Sequence, residues 1–367
     1  LSSDSERNTV GGSNAGDSFT GTDATDNTLI GYDAGTDITT ADYNSFYGSY
    51  AGENCTTGSS NCAYGFESGE ALTTGQKNVF IGHEAARSST LNQNCVAIGY
   101  QALRDNVDGN DASWEGIVAV GMEAGRSSTG YNNTYLGYKA GQSTGSAYYQ
   151  VFIGDETGSN NQGIGCIGIG RMALKNWNSG NGLSTVGQYN IGIGPSAGAG
   201  TNPTGEFNVM IGNSSMYKRT SGSSNCALGS EAGKEITTGN DNCLIGYHAG
   251  KSGTNDLTTG SNNTLIGHDA AASSGTVSNE ITLGDSNISS LRCQVQTISS
   301  LSDERDKTQI EELPAGLDFV SQLKPVKFKW NPRQKGLSCQ GKVEAGFIAQ
   351  QLQTAQKEND ADYLGLV

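Results

Sequence analysis

Basic residues are scarce in this chain, with 22 Lys and Arg against 37 Asp and Glu in 367 residues, for a formal net charge of -15. Such a surface repels phosphate backbones and anionic lipid, which argues against nucleic-acid binding and membrane-surface binding while leaving divalent cations admissible. Long apolar runs are missing as well. Nothing approaches the roughly 20 residues of a membrane span, so no membrane insertion is expected. The sequence opens on Leu1 instead of a methionine, which suggests that the natural N-terminus is missing. Aromatic residues are few at 7%, and only 34% of the chain is hydrophobic. That is thin material for a large globular core. The eight cysteines, at positions 55, 62, 95, 166, 226, 243, 293 and 339, form no CxxC pair and no finger spacing. They are too few to staple a chain of this length, so most are expected to be buried free thiols.

What the chain has in abundance is glycine, 53 residues of it, set in a recurring nine-residue phrase whose cleanest copy is Asn242-Cys-Leu-Ile-Gly-Tyr-His-Ala-Gly250. The glycine after the apolar triplet serves as marker and falls at 12, 31, 48, 65, 82, 99, 121, 137, 154, 170, 194, 212, 229, 246, 267 and 284. The commonest interval is 17 residues, held over four successive steps from Gly31 to Gly99. A fixed short period marks a stacked repeat architecture. Seventeen residues are too few for two helices and a loop, and Gly, Thr, Asn and β-branched residues favour strands and turns. The expected fold is mainly β: a β-solenoid or β-roll of about sixteen coils over residues 1–284.

Eleven copies place Asn four residues before the marker, from Asn8 to Asn263, which reads as a turn entering a short strand. The residue before the marker is nearly always large and apolar, as in Ile30, Ile81, Ile153 and Ile245, and is expected to point into the coil. The residue before that one, as in Leu29, Phe80 and Leu244, then points outward. Cys62, Cys226 and Cys243 follow the repeat asparagine, a position open to small packed side chains. A strand apolar on both faces is covered on both. The outward row is therefore expected to pack against sister chains along a shared axis.

The Asn-x-apolar-apolar-Gly-x-x-Ala-Gly stack resembles the β-roll heads of trimeric autotransporter adhesins and the related shafts of viral tail fibres. That resemblance implies a trimeric, adhesive, extracellular structure, with a cell-surface glycan or receptor as partner.

Three intervals are long, Gly99 to Gly121, Gly170 to Gly194 and Gly246 to Gly267, and their extra residues must leave the coil as loops. The first carries Asp105, Asp108, Asp111 and Trp114, and the second Trp177. Trp114, Trp177 and Asp108 are the candidate binding residues, because an exposed Trp in a polar loop suits stacking on a sugar ring. The alternative is that each Trp folds back onto a neighbouring coil. Asp105 to Asp111 also has a weak likeness to a calcium loop, without the downstream acidic ligand. Calcium there is the one cofactor considered. The three histidines, His83, His248 and His268, each follow a marker glycine by one or two positions and read as repeat-surface residues, so no metal site is expected.

After Gly284 the repeat stops, and residues 285–301 form a polar neck with Ile288, Leu291, Val295 and Ile298 at its apolar positions. From Ser302 to Val367 a small α+β domain is expected. Leu317, Phe319, Val320 and Leu323 have helical spacing, whereas Val326, Phe328 and Trp330 alternate like a strand. Taken alone, Ser302 is a helix N-cap before acidic first-turn residues, leaving Lys307 a solvated charge. The chemical alternative makes Ser302 a nucleophile and Lys307 its base.

The motifs Ser302-Asp-Glu-Arg-Asp-Lys307, Leu317-Asp-Phe319, Leu323-Lys-Pro-Val-Lys-Phe-Lys-Trp330 and Gly346-Phe-Ile-Ala-Gln350 resemble the endosialidase-type intramolecular chaperone, a self-cleaving domain of phage tailspikes and fibres. They are also similar to the cleavage domain of the myelin regulatory factor family. The resemblance implies that Ser302 attacks the carbonyl of Leu301 with Lys307 as base, once three chains have been brought together. Asp306 and Gln351 depart from the family, which usually has an apolar residue and Glu there. The function expected is a structural and adhesive trimeric fibre of a virion, with at most a single-turnover self-cleavage. The alternatives are a trimeric cell-surface adhesin of a bacterium or microalga and, with less support, a glycan-degrading tailspike, whose paired carboxylates in a cleft are not visible.

Overall fold

The structure, a computed structural model, describes residues 2–20, 23–106, 116–177, 187–200, 203–292, 317–329 and 343–359. The chain divides into two compact units, Leu1–Ser286 and Asn287–Val367.

The first unit is a parallel β-solenoid. Sixteen three-residue strands, β2 (Thr9–Gly11) to β17 (Ile281–Leu283), pair parallel and in sequence order, one from each coil. A two-residue strand, β1 (Ser2–Ser3), pairs antiparallel with β2 at the open end. The register is strict: Ile30 lies beside Tyr47, Tyr47 beside Tyr64 and Tyr64 beside Ile81, so each repeat position forms a column. Repetition in sequence thus becomes repetition along the stack.

The marker glycines explain why the coil tolerates no other residue at its strand exit. Gly31 has φ +149° and Gly229 φ +142°, a region essentially reserved for glycine. A Cβ on either would also run into the backbone of the next coil's marker.

The interior is filled by three columns. The middle strand residue is buried throughout, from Leu29 and Phe46 to Leu244 and Leu265. The alanine three residues after the marker supplies the second column, as at Ala34, Ala51 and Ala249. The third lies seven residues after the marker and includes Ile38, Cys55, Leu72 and Ile236. This reverses the expected facing of the strand: Leu244 points into the coil, and Ile245 lies on the outer side with Cys243. The coil closes on the side of its alanine and marker-plus-seven columns, and that closure selects the middle residue as the inner one.

The repeat asparagines are interior residues as well. Asn44 is fully buried, donates from Nδ2 to the carbonyl of Gly58 at 2.9 Å, and accepts on Oδ1 from the backbone N–H of Asn61 at 2.9 Å. The same bonds recur from Asn8 to Asn78 and from Asn190 to Asn263, giving a side-chain ladder that satisfies corner backbone groups water cannot reach. Where the ladder is interrupted, Gln150 takes over, donating from Nε2 to the carbonyl of Gly163 at 2.8 Å.

The described part of the second unit is small. Helix α1 (Leu317–Gln322) packs on helix α2 (Ala349–Glu358) through Phe319, Leu323 and Ala355. Strands β18 (Val326–Lys329) and β19 (Val343–Gly346) pair antiparallel. The helical spacing from Leu317 and the alternation from Val326 both match these elements, although Val320 is exposed. Among the described residues no helix is long and apolar enough to cross a membrane.

Candidate functional sites

The inverted strand leaves its first and third residues on the outside, and this produces a long uniform surface along the described coils. From Val79 to Leu283 the paired outer positions are almost all aliphatic or cysteine: Val79 and Ile81, Val96 and Ile98, Ile167 and Ile169, Val209 and Ile211, Cys226 and Leu228. Leu136 is 46% exposed and Leu228 43%. Single exposed apolar residues are ordinary, whereas a double row over twelve coils, broken only by Thr134 and Thr264, is the mark of an interaction surface. Toward the N-terminal end the same face becomes aromatic. Tyr47 stacks on Tyr64 at 4.5 Å between ring centres, and beside them Tyr32, Tyr50, Phe66, His83 and Tyr100 form a chain of ring contacts.

Of the candidate binding residues, Trp114 and Asp108 lie outside the described residues. Trp177 is described and corrects the expectation of an exposed ring: it is buried, with its indole N–H donating to the carbonyl of Gly198 at 2.6 Å. It stands seven residues after Gly170, in the same column as Ile38 and Leu72, so it fills a core position and does not belong to the insertion. That spacing was the signal in the sequence that could have placed it. The guanidinium of Arg219, seven residues after Gly212, lies over the Trp177 ring at 4.4 Å. Burial depresses the pKa of Arg219 to about 9.

Next to this region a surface groove of about 550 Å³ is lined by Met172, Lys175, Asn176, Tyr217, Lys218 and Thr237, among others. Tyr217 is exposed, and the two ammonium groups are tied to Glu156 and Glu235, each at 2.6 Å. A flat ring with amide and hydroxyl groups around it can take a polar, ring-shaped ligand.

For the calcium expectation, Asp105 is the one described acidic residue of its loop, and its carboxylate is held by Arg126 at 2.8 Å. That pairing already neutralises its charge. The third insertion is an exposed turn over Ser252 to Asn255, closed where Leu257 N–H donates to the carbonyl of Gly250 at 2.9 Å.

Six of the cysteines are described, all as free thiols: Cys55, Cys95 and Cys166 are buried, while Cys62, Cys226 and Cys243 are half-buried on the outer row. Burial pushes the Cys55 and Cys166 thiols up to about 12, far from thiolate chemistry at neutral pH.

The histidines are less isolated than their spacing suggested. His268, Asp269 and Asp285 bring one ligand atom each within 4.8 Å of one another, and His248 Nδ1 lies 3.2 Å from Asp269 Oδ1. These residues come from three successive coils, which is why no local motif reveals them. Close by, hydrogen bonds from Lys251 and Lys234 hold the Glu231 carboxyl down to about 2.

The self-cleavage candidates Ser302 and Lys307, and the bond after Leu301, fall outside the described residues. The family described as chaperone of endosialidase matches residues 302–360, a segment that begins at Ser302 itself. No curated protein matches the chain, and no solved structure matches it. The endosialidase-chaperone segment together with the solenoid fits a protein of the tail-fibre type.

Proposed function

We propose that the chain is the structural and adhesive subunit of a trimeric virion fibre, aligned during assembly by a C-terminal intramolecular chaperone that then cuts itself away. The observation that carries this reading is the double aliphatic row along the outer face of β6 (Val79–Ile81) to β17, on a chain whose terminal segment matches the chaperone family. Identical coils repeat every 17 residues or so, and three such faces can pair out of register by one coil at small local cost. A terminal device that sets the register before the rows meet answers that problem. Removing it afterwards leaves a fibre unable to return by the route it took, which makes its stability kinetic.

In the cutting step, Ser302 Oγ forms a bond to the Leu301 carbonyl carbon while Lys307 takes the hydroxyl proton. The Leu301–Ser302 C–N bond breaks, and the nitrogen collects a proton to become the new α-amino group. Water then hydrolyses the ester, leaving the Leu301 carboxylate and regenerating the hydroxyl. A full-length gene product is expected to run as a shortened band, and Ser302→Ala is expected to stop the shortening. Unchanged processing in that variant would remove Ser302 from the mechanism.

The outer row makes a separate prediction. Ile211→Asp with Leu228→Asp places two carboxylates where sister chains are proposed to meet, without touching an interior column. Light scattering is expected to report three chains for the parent and one for the variant, with the far-UV dichroism unchanged. A variant that keeps the trimer mass would show that association lies elsewhere.

For adhesion, the groove beside Tyr217 and the first insertion, with Asp108 and Trp114, are the proposed contacts for a surface glycan or receptor.

A further inference from the structure

We propose that His268, Asp269 and Asp285, with His248 turned onto Asp269 beside them, form a binding site for one divalent transition-metal ion of the zinc type, which clips the last three coils of the solenoid together. The donors come from positions one and two after Gly246, Gly267 and Gly284, stacked by the coil register. The ligand atoms of His268, Asp269 and Asp285 lie within 4.8 Å of one another. Two separations are shorter: His268 Nδ1 is 3.1 Å from Asp269 Oδ2, and His248 Nδ1 is 3.2 Å from Asp269 Oδ1. An ion bound at about 2.0–2.2 Å to tetrahedral nitrogen and oxygen ligands requires neighbouring ligand atoms about 3.3–3.6 Å apart. The two separations at Asp269 are close to that spacing before any ion arrives, and Asp285 lies within 4.8 Å of His268 and Asp269.

The surroundings are those of a built site. His248 turns its other nitrogen, Nε2, toward Glu231 Oε2 at 3.4 Å, a carboxylate–imidazole arrangement of the kind that orients metal-binding histidines, on an oxygen that also accepts from Lys251. The Tyr247 ring stacks on both imidazoles, at 3.7 Å from His248 and 5.3 Å from His268, which restricts their rotation. His83 offers the contrast. It occupies the same position after its marker, but its neighbour Glu84 is engaged by Arg104 at 2.8 Å. Among the described residues, the ion-pair partners of Asp269 are imidazoles, not a lysine or arginine. An imidazole ligand beside two carboxylates, with a second imidazole next to them, favours a borderline cation over calcium or magnesium, which prefer all-oxygen sites.

The site also falls at the last strand of the solenoid, where the packing is loosened. In β17 the inner strand position is Thr282, only half-buried, and Ile281 is 73% exposed. An ion bridging Asp285 to the two coils before it would hold this end against unwinding. This assignment does not depend on the proposed fibre role.

The test uses the full chain, stripped with chelator and titrated with Co²⁺ as a visible probe. A d–d absorption band saturating at one ion per chain is expected, displaced by Zn²⁺ and unaffected by excess Ca²⁺. His268→Ala and Asp285→Asn are each expected to weaken binding by roughly 10–100-fold or more, the loss already typical of outer-shell partners. His83→Ala should bind as the parent does. Zn²⁺ should raise the melting temperature of the parent and not of the His268→Ala/Asp285→Asn double variant, by mass action on the folded state. His268 is exposed and Asp285 half-buried, and far-UV dichroism of the metal-free forms checks that the variants compared are folded. Absence of a band in the parent, a band that survives in the folded double variant, or displacement by Ca²⁺ would each overturn the proposal.

Discussion

Gly229→Ala is expected to destabilise the solenoid by about 2–6 kcal/mol, the sum of a glycine-only backbone conformation and an overpacked contact. Gly229 sits at φ +142°, and a Cβ there would fall well inside contact distance of the Gly246 carbonyl in the next coil. The neighbour is backbone held in the coil-to-coil ladder, through the Gly246 N–H to the Leu228 carbonyl at 2.8 Å, and cannot step aside as a side chain would. The comparison is Gly253→Ala, in the third insertion. Gly253 also has positive φ, at +77°, but a Cβ there meets nothing within 4 Å. That substitution is expected to cost about 1 kcal/mol. Denaturant midpoints of the two variants decide the matter: equal losses would mean that the marker glycine is kept for φ alone and that the close coil contact carries no cost.

Asn225→Ala is the second large effect, expected at about 2–5 kcal/mol. Asn225 is buried in mid-ladder, accepting on Oδ1 from the Asn242 backbone N–H at 3.0 Å and donating from Nδ2 to the Gly239 carbonyl at 2.9 Å. Truncation leaves that N–H and that carbonyl without these partners in a place water does not reach. The loss should be local as well as global. Hydrogen exchange of the Asn242 amide is expected to accelerate more than that of the strand amides two coils away. Asn213→Ala, at an exposed position, should fall within about 0.5 kcal/mol of the parent. A buried-position loss as small as the exposed one would reduce the ladder to a by-product of repetition.

Both predictions rest on positions that the sequence makes conspicuous, but for reasons it does not display. The marker glycine and the asparagine four residues before it are legible as a period, and the period alone leads to a stacked β-coil. Asparagine at a turn and asparagine in a buried ladder look the same in one copy of the repeat. They differ only once successive copies are stacked 17 residues apart. Trp177 is a similar case. Its nearness to a long insertion suggested a loop, whereas its count of seven from Gly170 places it with Ile38 and Leu72 in the core.

By itself, the sequence determined the repeat unit, the strand-and-corner character of each coil, the count of sixteen, and the change of character after Gly284. These are properties of spacing and residue type, which survive without knowledge of contacts. Tertiary structure alone decided which side of the strand faces inward. Leu244 and Ile245 are both apolar, so alternation supplies the period and leaves the phase open. Closure of the coil over the alanine column turns Leu244 inside and leaves Ile245 on the outer row. The histidine and aspartate cluster has the same origin, since His268 and Asp285, and His248 and Asp269, are neighbours only because each coil is laid on the last in register.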